Sequence, residues 1–290
     1  DGQNIFEAGW LGARVVIRDG EPPTAVPAVS DDDKWHILEE GIPDPFEGPW
    51  AEWNWERYEF FKEQEQAGLE WCGRPVRAGQ PAGLGTDGPL TVAYQLRGAD
   101  ALLIDMRTDP EFFHALMAFI TDATIERILA YRRRLGMDLQ SEAWGFADDA
   151  VALLSVRDYC DHVLPYHKKL VATFGPNGPN HIHLCGDATH LFATIRDELN
   201  VRSFDTGYPV DFGRLREDVG PDVEIYGGPR VDIVRNGPPE VIERCVREIL
   251  ASGVCEGGKF VLREGNNVAP KTPLRHVAAM YNACRKYGRY

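Results

Sequence analysis

The sequence has no run of about 18 apolar residues, so it predicts no membrane-spanning helix. Residues 1–4 lack the charged and then apolar layout of a secretory signal. Basic residues are also scarce, because 31 Lys and Arg stand against 45 Asp and Glu, which gives a net charge of −14. Proteins that bind nucleic-acid backbones need clustered Lys and Arg. We therefore expect neither a membrane nor a nucleic acid as a partner.

Three sequence patterns that mark common protein classes are also missing. The 6 cysteines are widely scattered and form no C-x-x-C pair, which is typical of reduced thiols in a cytoplasmic protein. No G-x-G-x-x-G string follows a predicted strand, so a dinucleotide-binding fold has little support. No internal repeat is evident, which disfavours a repeat architecture.

From about residue 76 the sequence alternates between helical and strand-like segments joined by short loops. We predict one helix over 90–106 and a strand over 138–146. A second, long helix begins at Asp109-Pro110-Glu111, which supply an N-cap, a proline at the first position and an acid in the first turn. This alternation predicts an α/β fold with a parallel sheet, either open and doubly wound or closed into a (β/α)8 barrel. Residues 1–75, rich in Trp and Pro, predict an irregular N-terminal extension that packs on a barrel domain of residues 76–290.

Polar side chains that follow the strands of a parallel α/β fold are candidates for the active site, because the carboxyl ends of the strands share one edge. The predicted strand ends carry Glu142, Asp148, Asp149, His183, Cys185, Asp205, Arg230, Glu264, Asn266 and Asn267. Asp148 and Asp149 are adjacent and should point in opposite directions, so we expect one to be functional and the other to be a cap or surface group. His167, on a predicted helix, is interpreted as a surface or hinge residue.

The strand His181-Ile182-His183-Leu184-Cys185 alternates polar and apolar side chains, so its imidazoles and its thiol share one face. Residues two apart on a strand lie about 6.6 Å from each other, and zinc binds both imidazole and thiolate, so His183 and Cys185 can hold one ion. His181 lies about 13 Å along the strand from Cys185 and should not reach that ion. The alternative is that this pair packs as ordinary hydrogen-bonded core residues.

Taken together, the strings from residue 86 onward resemble the uroporphyrinogen decarboxylase superfamily. The strings that carry the resemblance are Thr86-Asp87-Gly88-Pro89-Leu90-Thr91, Leu96-Arg97-Gly98, Asp105-Met106, Asp109-Pro110-Glu111, Asp148-Asp149-Ala150, Ser155 with Tyr159, Leu164-Pro165-Tyr166, His183-Leu184-Cys185-Gly186, Ser203-Phe204-Asp205, Gly257-Gly258-Lys259-Phe260-Val261-Leu262, and the turn from Gly265 to Pro270 with Thr272-Pro273. The resemblance covers residues 86–287 and implies a (β/α)8 TIM barrel. It also implies one of two chemistries, which are cofactor-free decarboxylation of a tetrapyrrole and methyl transfer between corrinoid proteins and thiols, pterins or methylated substrates.

The resemblance favours the corrinoid-dependent methyltransferase branch, because residues 1–40 lack the arginine-rich motif with which the decarboxylases hold their substrate. In that branch the His and Cys of the H-x-C-G string bind zinc together with a second cysteine near the last strand. This implies His183 and Cys185 as metal ligands in this chain.

The sequence departs from the zinc pattern at one position, since Asn266 stands where the second cysteine is expected. Asparagine is a poor zinc ligand. Zinc could be held by His183, Cys185 and an acid such as Glu142 or Glu264, the site could be free of metal, or the protein could act on another substrate.

The main hypothesis is therefore a methyltransferase that moves a methyl group between a corrinoid protein and a small thiol, pterin or methylated substrate, with zinc as a candidate cofactor. The candidate catalytic residues are Glu142, Asp149, Asp205 and Asn266, and the candidate substrate contacts are Asp148, Arg230 and Asn267. Barrels of this type commonly pair, so a homodimer is a further expectation.

Two rival functions remain. A metal-independent decarboxylase would need several arginines at the barrel mouth, for which only Arg77, Arg97 and Arg230 are available. A non-catalytic tetrapyrrole-binding barrel would explain the tryptophan-rich stretch 50–71, although ordinary packing explains it as well.

Overall fold

The computed structural model describes residues 3–19 and 21–288. The chain forms two compact units, of which the first comprises Asp1–Arg18 and Pro22–Leu139, and the second comprises Asp19–Glu21 and Gln140–Tyr290. The boundary between the two units therefore lies near residue 139. The predicted N-terminal extension over residues 1–75 stays a prediction. None of the helices among the described residues has the length and apolar character to cross a membrane. All six cysteines are free thiols.

The first unit is mainly helical. Its helices are α1 (Gln3–Trp10), α2 (His36–Glu40), α3 (Pro49–Gln66), α4 (Pro89–Arg97), α5 (Ala99–Thr108) and α6 (Pro110–Leu135), and its short antiparallel pairs are β1 (Arg14–Val16) with β2 (Thr24–Val26) and β3 (Glu70–Trp71) with β4 (Arg74–Pro75). Helix α6 begins as predicted, because the Asp109 side chain accepts a hydrogen bond from the Phe112 amide. The prediction of one helix over 90–106 is wrong, since Gly98 adopts a φ of 87° and separates α4 from α5.

The first unit contains a buried ion pair between Glu7 and Arg127. Glu7 Oε1 accepts a hydrogen bond from Arg127 Nη2 at 2.7 Å, and the second oxygen accepts from the Asp87 amide at 2.7 Å. The Arg127 side chain is fully buried and also donates from Nε to the Gly83 carbonyl at 3.1 Å. Because the charges are buried, each carboxylate oxygen needs these donors to compensate for lost hydration.

The second unit is built on a parallel five-stranded sheet. Its strands, in sheet order, are β5 (Gly145–Ala147), β6 (Asn180–Leu184), β7 (Val201–Thr206), β8 (Glu224–Gly227) and β9 (Phe260–Leu262). The connections contain α7 (Val156–His162), α8 (Leu164–Phe174), α9 (Phe192–Leu199), α10 (Phe212–Val219), α11 (Val231–Asn236) and α12 (Pro239–Ala251), and α13 (Leu274–Tyr287) follows the last strand. Short 3-10 helices lie at Asp149–Leu153, Thr189–Leu191 and Glu256–Gly258.

The parallel sheet and its crossover helices confirm the predicted α/β class. Among the described residues the sheet has five parallel strands, with β5 and β9 at its edges, where a full (β/α)8 barrel has eight. The strand expected over 138–146 begins only at Gly145. The preceding backbone bonds elsewhere, since the Ser141 amide donates to the Phe174 carbonyl and the Trp144 amide donates to the Asn180 side chain.

The two faces of the sheet differ in polarity. Ile182, Phe204 and Ile225 lie side by side in the parallel register and are fully buried. One residue further along each strand, His183, Asp205 and Tyr226 are register neighbours on the opposite face. The apolar row packs in the core, and the polar row gives the second face its chemistry.

We expect Arg127→Met to lower the free energy of unfolding by about 3–5 kcal/mol, because it leaves the Glu7 carboxylate buried without its cation. The matched control is Arg133→Met on the same helix, where the side chain is exposed and the expected change is within about 0.5 kcal/mol. Denaturant unfolding followed by tryptophan fluorescence measures both. A loss below about 1 kcal/mol for Arg127→Met contradicts the importance of the pair.

Candidate functional site

The candidate site lies at the carboxyl edge of the sheet in the second unit. His183 is in β6, Cys185 follows the end of β6, and Asp205 is in β7. Asp149 opens the 3-10 helix that follows β5. The three consecutive parallel strands therefore bring these four side chains to one edge.

The His183 ring is held on both sides. Its Nδ1 lies 2.9 Å from Asp205 Oδ2, and its Nε2 lies 3.1 Å from Cys185 Sγ. Asp149 Oδ1 lies 3.7 Å from the same Nε2 and accepts a hydrogen bond of 2.6 Å from the Cys185 amide. Because an ionised carboxylate only accepts, the network assigns the ring proton to Nδ1 and leaves the Nε2 lone pair facing the thiol.

One oxygen, one nitrogen and one sulfur converge here, because ligand atoms of Asp149, His183 and Cys185 all lie within 4.8 Å of one another. Zinc binds these three donor types, and a ligating histidine commonly donates its other N–H to a carboxylate, as His183 does to Asp205. The donor chemistry therefore fits a zinc ion. His181 is not part of this group, in agreement with the distance expected along the strand.

The charges around the thiol disfavour the thiolate. Burial raises the pKa of Cys185, and the carboxylates of Asp149 and Asp205 raise it further. Burial also raises the pKa of Asp149, although His183 opposes this. Burial lowers the pKa of His183, but the hydrogen bond that its ring donates to Asp205 and the charges of both carboxylates outweigh this, so the net pKa is raised. The protein alone therefore keeps a proton on the sulfur, and a cation would reverse that preference.

Arg263, which the sequence analysis did not select, completes the site. It follows β9, and its Nη1 donates to both oxygens of Asp205 at 3.0 and 2.9 Å. Nη2 donates to Glu264 Oε1 at 2.8 Å and to the Asn266 carbonyl at 2.7 Å. The criterion that selected Glu264, a polar side chain after a strand, would have selected Arg263 too.

Gly207 is a second residue that the sequence analysis missed. A Cβ built at this position would lie 2.9 Å from Cys185 Sγ and 2.8 Å from its Cα. The absence of a side chain after β7 therefore leaves the space that the thiol occupies.

Three of the predicted residues lie apart from this cluster. Glu142 is exposed and precedes β5, so it is at the amino edge of the sheet rather than at the carboxyl edge. Asp148 is fully buried, with Oδ2 at 2.8 Å from His167 Nε2, which makes it a partner of helix α8. Arg230 is paired with Asp232 at 2.9 Å on the surface. The interpretation of His167 as a surface or hinge residue is wrong, since it is fully buried.

The two predicted asparagines lie in the turn after β9. Asn267 is exposed and donates from its amide to Asn266 Oδ1 at 3.2 Å. The backbone of Asn266 is tied to the site through Arg263. Glu264 forms an ion pair with the same guanidinium. Among the described residues it does not belong to the group of possible metal ligands, which are Asp149, His183 and Cys185.

The chain is similar to two methyltransferases of Methanosarcina mazei. It is 30% identical over 202 residues to a methylated-thiol:coenzyme M methyltransferase, which covers 68% of this chain and 51% of the relative. It is 24% identical over 203 residues to a methylcobamide:CoM methyltransferase, covering 69% of this chain and 56% of the relative. A uroporphyrinogen decarboxylase of Rhodococcus erythropolis is 31% identical over 172 residues, covering 58% and 46% respectively. The chain thus spans about half the length of the curated relatives it matches.

A solved structure of a methyltransferase from Methanosarcina mazei has a TM-score of 0.70 and 19% sequence identity, over 98% of this chain and 78% of that chain. This likeness shows a shared fold. Residues 76–287 match the family described as Uroporphyrinogen decarboxylase (URO-D), which confirms the resemblance found in the sequence strings. The chain therefore belongs to the uroporphyrinogen decarboxylase family.

Proposed function

We propose that this chain carries the catalytic centre of a methyltransferase that moves a methyl group between a corrinoid protein and the sulfur of a small thiol. The single observation that carries the proposal is the convergence of Asp149, His183 and Cys185 within 4.8 Å. The names of the two Methanosarcina mazei relatives supply the substrate class, since both are methyltransferases that act with coenzyme M. A pterin or another methylated compound is a further option for the small substrate.

The residues that would hold a zinc ion are His183 through Nε2, Cys185 through Sγ and Asp149 through a carboxylate oxygen. A bound zinc ion supplies Lewis acidity, which lowers the pKa of a coordinated thiol and makes thiolate available at neutral pH. Asp149 takes the place that the sequence analysis assigned to Glu142 or Glu264. It lies next to the imidazole and is aligned by the Cys185 amide.

The protein groups have separate tasks in the proposed transfer. Asp205 accepts the Nδ1 proton of His183 and thereby keeps Nε2 available as a ligand. During transfer the thiol sulfur forms a bond to the methyl carbon, the electron pair of the carbon–cobalt bond stays with the corrinoid, and the thiol proton leaves to a base. We assign this proton to Asp149, whose pKa is raised by burial and whose carboxylate lies within 4.8 Å of the Cys185 sulfur.

The remaining parts of the proposal concern partners and location. We assign the corrinoid to a separate protein, which would present it at the carboxyl edge of the sheet, and we retain a homodimer and a cytoplasmic location as parts of the hypothesis. The six free thiols agree with a reducing compartment. Asn266 and Asn267, in the turn after β9, stay candidates for contacts with the small substrate.

The alternative function is decarboxylation, which the uroporphyrinogen decarboxylase of Rhodococcus erythropolis represents among the relatives. A substrate with several carboxylates needs cations to hold it. Each of the three arginines considered for this task is already paired with an acid, Arg77 with Glu65, Arg97 with Asp105 and Arg230 with Asp232. This weakens the decarboxylase and, for the same reason, a tetrapyrrole-binding barrel.

We expect the chelator-stripped protein to take up one zinc ion per chain. His183→Ala and Cys185→Ser should each weaken binding by more than the ~10–100-fold that loss of a supporting residue costs. Equilibrium dialysis with metal analysis measures this, and cobalt(II) substitution reports a thiolate-to-cobalt absorption band that Cys185→Ser removes. Cys245→Ser, a cysteine on helix α12, is the matched control and should keep both signals. A wild-type protein without stoichiometric metal would contradict the metal site.

In the metal-free protein we expect Cys185 to react slowly with iodoacetamide at neutral pH and faster as the pH rises, because its raised pKa leaves little thiolate. Asp149→Asn removes a carboxylate that raises this pKa, so alkylation should accelerate, by about tenfold for each unit by which the pKa falls. Peptide mass spectrometry measures the rate. Asp161→Asn, on the exposed face of α7, should leave it unchanged. Equal rates in wild type and Asp149→Asn would refute this electrostatic account.

Methyl transfer itself can be tested with free methylcobalamin and coenzyme M, which avoids the need for an identified corrinoid protein. We expect zinc-loaded protein to demethylate the cofactor and form methyl-coenzyme M, followed by absorbance and mass spectrometry. Cys185→Ser should lower the rate by about 10²–10³-fold, the scale of losing one preorganised electrostatic group, while Cys245→Ser should not. Conversion of uroporphyrinogen without any methyl transfer would favour the decarboxylase instead.

A further inference from the structure

Arg263 connects three parts of the site through one side chain. Its guanidinium spans from Asp205 in β7 to Glu264 beside it and to the carbonyl of Asn266 in the following turn, with four contacts between 2.7 and 3.0 Å. It is half-buried, with 32% of its side chain exposed. A planar guanidinium with several donors can hold these acceptors at once, which a lysine cannot.

Asp205 is hydrogen-bonded to both this guanidinium and the His183 ring. Its Oδ2 accepts from Arg263 Nη1 at 2.9 Å and lies 2.9 Å from His183 Nδ1, while Oδ1 also receives Arg263 Nη1 at 3.0 Å. The guanidinium thus restrains the rotation of the carboxylate about its Cβ–Cγ bond. The orientation of Asp205 in turn decides which nitrogen of the imidazole carries the proton.

We propose that Arg263 is a positioning residue, which holds Asp205 in the orientation that keeps the proton of His183 on Nδ1 and the lone pair of Nε2 directed at the ligand position beside Cys185. The same side chain anchors the turn that carries Asn266. The inference rests on the proposed function only where it concerns the metal, because the tautomer of His183 is a property of the metal-free protein.

The first experiment measures the tautomer in metal-free protein by ¹⁵N NMR of the histidine rings at about pH 9.5, where histidine is neutral. We expect wild type to show His183 protonated on Nδ1 alone. Arg263→Met should show a mixture of both tautomers, and Arg263→Lys, which keeps one charged contact to Asp205, should lie between them. Arg214→Met, an exposed arginine on α10, is the matched control and should match wild type.

The second experiment measures zinc affinity by competition with a chelator. We expect Arg263→Met to weaken binding by about 10-fold or more, as is usual when a partner of a ligating histidine is lost, with partial rescue by Arg263→Lys. Circular dichroism verifies folding of each variant. If Arg263→Met does not fold, Arg263→Gln, which keeps a polar side chain but no charge, takes its place in both measurements.

The outcomes separate this inference from the proposed function. An unchanged Nδ1 tautomer in a folded Arg263→Met or Arg263→Gln protein overturns the positioning role, even if zinc affinity falls. A mixed tautomer in a protein whose wild type binds no zinc supports the positioning role and refutes the metal site. A mixed tautomer with weakened zinc binding supports both.

Discussion

The hydrogen bond between His183 and Asp205 is the contact on which the rest of the site depends. It exists because β6 and β7 are adjacent parallel strands whose register places these two residues side by side. The alternation of the same strands sends Ile182 and Phe204 to the buried face. The packing of the core and the orientation of the imidazole are therefore set by one strand register, and a shift by one residue would destroy both.

An excess of negative charge is the second feature of the site. Asp149, Asp205 and Glu264 are balanced by one guanidinium, that of Arg263, which is already shared between two of them. Burial is the main cause of the raised pKa of the Cys185 thiol, and the carboxylates of Asp149 and Asp205 raise it further. A dication is therefore the natural complement of the cluster. The arginines outside the cluster that were considered for a carboxylate-rich substrate are paired with acids of their own.

The sequence allowed the α/β class and the pairing of His183 with Cys185 to be predicted, because both follow from local periodicity. It did not allow the position of Glu142 to be predicted, because the start of β5 depends on where residues 141 and 144 find hydrogen-bond partners in distant segments. The pairing of Asp148 with His167 was equally inaccessible, since it arises when helix α8 packs against the sheet. Contacts between elements, rather than patterns within them, decided these cases.

The possible metal ligands come from other strands than the one where the second cysteine was expected. Asn266 stands where that cysteine was expected, after the last strand, whereas the grouped donors come from the region of β5 and β6 with support from β7. Three adjacent strands suffice to assemble this set. The cluster of metal-binding side chains therefore does not depend on closure of the sheet into eight strands. Arg263, directly after the edge strand β9, orients this cluster through Asp205 but supplies no metal ligand.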